Sequence, residues 1–342
     1  LHIEDYKMFK DFDIDFVDEN DEALPIVVLA GVNGSGKTTL LESIFSLSSI
    51  LFENALNNVL DKFFIEFELL NHIKKYTSEI THSDVKEVKK NILYFSVGQN
   101  LEDIKIFLPK YIASMVYEYE IPPVEVHKQV REYIDDILKE LNPGIEFDSR
   151  DGEGNLFFRN KGGEDKFSID NLSTGEKTLI SKVLYMYLAD IKDKVILIDE
   201  PELSLHPSWQ NKVLKIYENF VEKNKCQIII ATHSPHIIGS AKPEYLRVLK
   251  KVDNKIEVAK YTKSYGLEFN KILTDIMGAE TRVSDVSKRL SIIKSLIIKN
   301  DFDSDEFKTI WSDLEKLLGE DNIDLRLLKL EIASRKKNVS NN

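Results

Sequence analysis

From Leu1 to Phe16 the apolar side chains Ile3, Tyr6, Phe9, Phe12, Ile14 and Phe16 recur among Asp and Lys. Asp13–Phe16 has the period of two that marks a half-buried strand, and Asn20-Asp21 supplies a turn. The pattern predicts an antiparallel hairpin, Leu1 to Phe9 followed by Ile14 to Phe16, leading into a core sheet. Its acidic face reads as a solvated strand edge. Ile26–Ala30 is different: an unbroken apolar run, as in a strand buried on both faces. Leu40-Leu41 with Ile44-Phe45 then shifts to helical spacing. Phe63–Leu69 returns to alternation, Asn91–Val97 is a further strand, and from Leu101 the spacing is helical again. Pro122-Pro123 interrupts that helix. Val126, Val130, Ile134 and Leu138 carry the next one to Leu141, where Asn142-Pro143-Gly144 ends it. Ile145–Phe147 and Leu156–Arg159 read as strands joined by a Gly-rich turn at Asp151–Gly154, with another turn at Lys161–Gly163.

In the second half, Leu179, Ile180, Val183, Leu184, Met186, Tyr187 and Leu188 describe one apolar-periodic helix. Val195–Ile198 and Gln227–Ala231 are short apolar runs of the buried-strand kind. Beyond about Tyr265 the spacing is helical over Glu268–Met277, Val286–Ile298, Phe307–Leu318 and Leu325–Ile332. No segment carries the long charged heptad repeat of a coiled-coil arm. Alternating strands and helices predict an α/β class, with a first domain over residues 1–264, an insertion in it over about 50–170, and a C-terminal helical region over 265–342.

Composition narrows the class. Of the 342 residues, 42% are hydrophobic and 30% charged, the balance of an ordinary soluble protein. The longest apolar runs are too short to span a bilayer and no signal-peptide pattern is visible, so no membrane partner is expected and the expected compartment is the cytoplasm. The net charge of −12 argues against nucleic-acid binding over the whole surface and leaves room only for a local basic groove. Cys226 is the single cysteine, which excludes an internal disulfide; beside Ile228–Ile230 it reads as core packing.

The chemistry concentrates at the ends of the buried runs. After Ile26–Ala30 comes Gly31-Val32-Asn33-Gly34-Ser35-Gly36-Lys37-Thr38-Thr39, a G-x-x-x-x-G-K-T sequence between a strand and a helix. Glycines there let successive N–H groups turn inward and cradle phosphate oxygens, and the following helix adds its positive end. Lys37 is placed to reach the β- and γ-phosphates, with the Thr38 hydroxyl on Mg²⁺. A Gly-rich turn alone means little; with Lys-Thr in this context it is a nucleotide-binding P-loop. Val195–Ile198 delivers Asp199 and Glu200 at its end, and carboxylates beside a core are expensive unless used. Asp199 suits the Mg²⁺ shell, Glu200 the orientation and deprotonation of a water. Gln227–Ala231 ends on Thr232-His233-Ser234. A lone histidine at a strand end is usually incidental, but this one follows a third parallel-type strand, on the edge where α/β sheets bind ligands. Ser173-Thr174-Gly175-Glu176, before the Leu179 helix, is by itself only a capping box.

Taken together, in this order, these motifs resemble those of the ABC-type ATPases, over Leu1 to about Arg247. Leu172–Lys177 is similar to the signature motif, Val195–Glu200 to Walker B, Glu202–Pro207 to a D-loop and His233 to the switch histidine. The opening Ile3–Phe9, Asp199-Glu200-Pro201-Glu202 with Leu205-His206-Pro207, and Thr232-His233-Ser234-Pro235 resemble the OLD/RecF/SMC-related branch, and within it the ATPases of Septu-like (PtuA-like) anti-phage systems. The signature departs from the common wording, Leu-Ser-Thr-Gly-Glu in place of Leu-Ser-Gly-Gly-Gln. No motif marks the Q-loop glutamine; Gln99 is the candidate.

The resemblance implies an ABC-ATPase head: a mixed P-loop core sheet, an antiparallel β subdomain, a helical insertion and a C-terminal helical region. It implies ATP and Mg²⁺ bound by Asn33, Gly34, Ser35, Gly36, Lys37, Thr38, Thr39, Gln99 and Asp199, with Glu200 and His233 catalytic. It further implies a homodimer holding two ATP sandwiches, in which Ser173 and Gly175 reach the partner's nucleotide. The function expected is an ATPase whose dimer closure gates an effector, a nuclease of the HNH type on a separate chain, in anti-phage defence. The alternative is a RecF- or SMC-like clamp that binds DNA. The chain itself is not expected to cut nucleic acid: Asp301 and Asp303 lie between two helical patterns and read as a solvated loop.

Overall fold

The computed structural model describes residues 1–47, 64–69, 72–77, 92–96, 104–142, 144–152, 155–189, 194–203, 205–260, 265–266, 269–278, 284–319 and 321–340. The chain divides into two compact units, Leu1–Gly278 and Ala279–Asn342.

The first unit is built on a six-stranded sheet whose strands lie in the order Lys255–Ala259, Leu246–Val252, Ile26–Ala30, Gln227–Ala231, Val195–Asp199 and Ile92–Phe95. Its centre is β3 (Ile26–Ala30), β11 (Gln227–Ala231) and β10 (Val195–Asp199), apolar runs that are buried throughout except at Gln227. Such runs suit a parallel sheet covered on both faces, and β3, β11 and β10 are parallel, as is β6 (Ile92–Phe95) beside β10. The register aligns Leu29 with Ala231 and Ala231 with Asp199, so the loops after all three strands leave from one edge. The other flank is β12 (Leu246–Val252), parallel to β3, and β13 (Lys255–Ala259), antiparallel to β12.

The N-terminal hairpin differs from expectation in two ways. Its strands are β1 (His2–Tyr6) and β2 (Phe9–Asp13), turning at Lys7-Met8, with Lys7 at φ 50. It also does not extend the core sheet. It joins β4 (Phe64–Leu69) and β5 (His72–Thr77) in a separate antiparallel sheet of order β2-β1-β4-β5. Ile3, Phe9 and Phe12 are buried in the same core as the P-loop strand, so the hairpin packs onto that strand's surroundings. A third small antiparallel sheet, β7 (Ile145–Arg150), β8 (Leu156–Asn160) and β9 (Lys166–Ser168), follows the insertion helices.

Those helices, Ile104–Tyr117 and Pro123–Leu141, pack against Thr174–Leu188 and against one another. Tyr133 stacks on Tyr187 with centroids 4.4 Å apart, and Phe107 lies 4.5 Å from Tyr185. Helix Pro207–Asn224 joins them and buries Tyr217 and Phe220. The boundary of this unit falls at Gly278, beyond residue 264, because Ile272, Ile276 and Met277 are buried in the main core. The second unit has a core of its own, in which Leu290, Ile293, Phe307, Leu314, Leu325 and Leu328 from the helices Ser284–Ile298, Asp305–Leu318 and Ile323–Ser340 meet. Asp301 and Asp303 are exposed between two of these helices.

Candidate functional site

The site grows from the common edge of β3, β10 and β11. Past β3 the chain turns through Gly31 and Gly36 into the helix Lys37–Leu47. A Cβ on Gly31 would stand 2.5 Å from the Leu249 carbonyl and 2.6 Å from Ser35 Oγ. Gly36 sits at φ +93, and a Cβ there would meet Met8 Sδ at 2.7 Å and Phe9 Cζ at 2.9 Å. The floor of the P-loop is thus the turn of the N-terminal hairpin, a contact that strand periodicity could not indicate. Ser35 and Lys37 are buried, whereas Asn33, Gly34 and Thr38 face outward and Thr39 is half-buried.

Lys37 Nζ donates to the carbonyls of Gly31 (2.9 Å) and Val32 (3.3 Å) and lies 3.2 Å from His233 Nδ1. Burial pulls its pKa down to about 8, opposed by the charges of Glu200, Asp199 and Glu202. Thr38 Oγ1 donates to Asp199 Oδ1 (3.2 Å). Burial pushes the Asp199 carboxyl above its ordinary range, and the Thr38 hydrogen bond works against that rise.

Glu200 follows at φ 45, a left-handed residue whose N–H donates to the Ala231 carbonyl (2.8 Å). That turn releases its side chain from the strand, and Oε1 lies 3.4 Å from His233 Nε2. His233 therefore spans Lys37 and Glu200 with its two ring nitrogens. With Nδ1 accepting from an ammonium, the ring proton belongs on Nε2, facing the carboxylate. Burial and the neighbouring Lys37 hold the imidazole below its usual pKa, which favours this neutral form.

Lys37, Thr38, Asp199, Glu200 and His233, far apart in sequence, are thus joined by direct contacts. Ser173 and Gly175 belong to another element. Ser173 Oγ accepts from Glu176 N, while Glu176 Oε2 accepts from Ser173 N–H (3.0 Å) and Oγ–H (3.0 Å). The capping box is therefore formed, at the N-terminus of a fifteen-residue helix. Gln99 lies outside the described residues. Glu202 was legible only as the last letter of Asp-Glu-Pro-Glu; its Oε1 accepts from the Thr232 hydroxyl (2.7 Å) and from His233 N–H (2.7 Å).

The residues fit a nucleoside triphosphate with a divalent cation. Ser35 Oγ and Asp199 Oδ2 are buried polar atoms with no hydrogen-bond partner among the described residues. Lys37 is a buried cation above the loop, and Thr38 with Asp199 offers hard oxygen donors of the kind Mg²⁺ takes. Among the described residues no helix is long and apolar enough to cross a membrane.

The chain matches known proteins in sequence and in fold. The family described as "AAA domain, putative AbiEii toxin, Type IV TA system" matches residues 66–239. Septu protein PtuA of Bacillus thuringiensis is 26% identical over 90% of this chain and 91% of its own. The "Retron Vc95 probable ATPase" of Vibrio cholerae serotype O1 biovar El Tor is 28% identical over 38% of this chain, which spans only 27% of that relative. Among solved structures, the SMC head domain from Thermotoga maritima superposes with a TM-score of 0.50 at 16% identity, covering 76% of this chain and 97% of that one. The fold is that of an ABC-type ATPase head.

Proposed function

Because the chain belongs to this AAA-domain family of ATP hydrolases, we propose that its ATP turnover closes and opens a homodimer that gates a separate effector in anti-phage defence. The observation that carries the hydrolytic part is His233, whose ring lies 3.2 Å from Lys37 Nζ and 3.4 Å from Glu200 Oε1. ATP binds with its phosphates over Gly34–Lys37, where loop N–H groups, the helix N-terminus and the Lys37 ammonium meet its charge. Thr38 and Asp199 would hold Mg²⁺, which there would neutralise charge on the phosphates.

Glu200 orients a water and takes its proton as the water oxygen bonds to the γ-phosphorus. The bond to the bridging oxygen breaks, and ADP leaves with that electron pair. His233 fixes the Glu200 carboxylate through Nε2 and steadies the Lys37 ammonium through Nδ1. Ser173 and Gly175 of the partner's helix N-terminus complete each site, so ATP bridges two positive helix ends and hydrolysis removes the bridge. The similarity to Septu protein PtuA over nearly the whole chain supports the defence role. The effector in this reading is a nuclease of the HNH type on another chain, acting in the cytoplasm.

Glu200→Gln tests the proposal. It should retain ATP affinity, lose turnover by on the order of 10²-fold or more, and accumulate an ATP-bound dimer measurable by light scattering. Wild-type turnover in that variant would place the base elsewhere.

A further inference from the structure

Glu202 is the carboxylate of the Asp-Glu-Pro-Glu turn that bonds to the segment after β11. Its Oε1 accepts both the Thr232 hydroxyl and the His233 N–H at 2.7 Å. Its main-chain carbonyl accepts Leu205 N–H (2.9 Å), which fixes the turn itself. Its other oxygen, Oε2, is buried without a hydrogen-bond partner among the described residues, and so is Tyr217 Oη on the helix Pro207–Asn224. Burial lowers the pKa of Lys182, on the helix Thr174–Leu188, and Glu202 is the foremost charge opposing that fall. A carboxylate taken out of water is costly, and an apolar residue would fill this space more cheaply. What an apolar residue could not do is anchor the main chain at the root of the His233 ring.

That anchor matters because the ring's two contacts demand a fixed origin. Lys37 and Glu200 lie on opposite ring nitrogens, at 3.2 and 3.4 Å. A shift of about 1 Å in the backbone at His233 would break one contact or the other, and misplacement on that scale is enough to slow an enzyme markedly. Thr232 N–H is already fixed by the Leu29 carbonyl (3.0 Å), but His233 lies past the last ladder pair of β11. Its N–H bonds to Glu202 instead.

We propose that Glu202 is a positioning residue whose main effect on hydrolysis runs through His233: by holding the Thr232 hydroxyl and the His233 N–H it places the ring between Lys37 and Glu200. It touches no substrate atom. The inference rests on the reading of Glu200 and His233 given above, and extends it to a residue outside the contact with nucleotide.

The test is a double-mutant cycle on ATP turnover, with melting temperatures for every chain. Glu202→Ala should lower kcat by on the order of 10-fold or more and leave KM for ATP within about threefold, because ground-state binding is untouched. The double variant Glu202→Ala/His233→Ala should be no slower than His233→Ala alone. Glu202→Gln keeps an amide oxygen for both donors and should recover most of the loss. A purely structural glutamate would instead lower the melting temperature and slow both backgrounds by the same factor. That result, or wild-type kcat in Glu202→Ala, overturns the proposal. His233→Ala at the wild-type rate would fail the reading beneath it, which distinguishes the two failures. If Glu202→Ala does not fold, Thr232→Val removes one of the two donors and carries the same cycle. It should slow the wild-type background and leave His233→Ala unchanged, and equal slowing in both would sink the idea.

Discussion

Lys37 holds its charge where solvent cannot help it, and this has a measurable pH signature. Burial takes its pKa from the ordinary 10.5 to about 8. Between those values the unfolded chain keeps a proton that the folded chain has released. The stability contributed by this group is therefore lowest below about pH 8 and rises through the window towards the unfolded pKa. In nucleotide-free protein, the melting temperature of wild type minus that of Lys37→Met should move in favour of wild type between about pH 7.5 and 10. A flat difference would mean that the lysine titrates normally. At this scale the sequence marked the polar residues that close a buried run, as with Asp199 after Val195–Ile198 and Thr232-His233 after Gln227–Ala231. It was silent where the partner comes from across the fold. Nothing near Glu202 in the chain indicates Thr232, and nothing near Gly36 indicates Met8.

The helix Thr174–Leu188 is capped within its own chain and, in the proposed dimer, would also serve the partner. Ser173 caps it within its own chain, through Glu176 N and the returning Glu176 carboxylate, while Asn142 Nδ2 donates to Glu176 Oε1 (3.4 Å). In the proposed dimer the same helix end faces the partner's phosphate. Two substitutions separate these roles. Ser173→Ala removes the cap and should cost about 1 kcal/mol in denaturant unfolding. Ser173→Asn keeps a capping acceptor, so stability should stay within about 0.5 kcal/mol while turnover falls. If Ser173→Asn turns over normally, the serine is a cap and nothing more. Among elements, the central strands were legible because burial on both faces leaves an unbroken apolar run. β12 and β13 were not. Leu246–Val252 carries Arg247, which is only 3% exposed yet satisfied by Asp15 and by the carbonyls of Asp15, Val17, Glu244 and Leu246. A cation buried in a strand on such terms breaks the hydropathy pattern without breaking the strand. The hairpin turn was misplaced for a related reason: Lys7-Met8 contains neither Gly nor Pro, and Lys7 takes a left-handed conformation with no residue to announce it.

For the whole molecule, the decisive property is whether a site is completed by a second copy. In the proposed dimer each chain carries a P-loop and a helix Thr174–Leu188 that serve different sites, so defects in the two can be placed on different chains. Mixing Lys37→Ala with Ser173→Arg should regenerate activity at intermediate ratios, since a mixed dimer holds one site in which both contributors are intact. Inactivity at every ratio, with mixed dimers verified by mass, would count against a shared site. The structure divides into two compact units at Gly278. Helical spacing marked the C-terminal region, but Ile272 and Ile276 carry the same spacing while packing into the first unit. Periodicity reports that a face is buried; it does not say in which core.

The seating of Met8 under Gly36 has a consequence for how the protein would age. Met8 is only half-buried, and its sulfur occupies the space where a Cβ of Gly36 would fall, 2.7 Å away. Oxidation to the sulfoxide would add an oxygen to a side chain with no room on that side, and make an apolar wedge polar. Mild peroxide should then erode ATP turnover before it lowers the melting temperature, with methionine sulfoxide reductase restoring it and Met8→Leu resisting the loss. Equal sensitivity in Met8→Leu would move the lesion elsewhere. A nucleotide site with no cysteine and no redox cofactor in it would in this way still register the oxidative state of its surroundings, through a thioether that belongs to the neighbouring sheet.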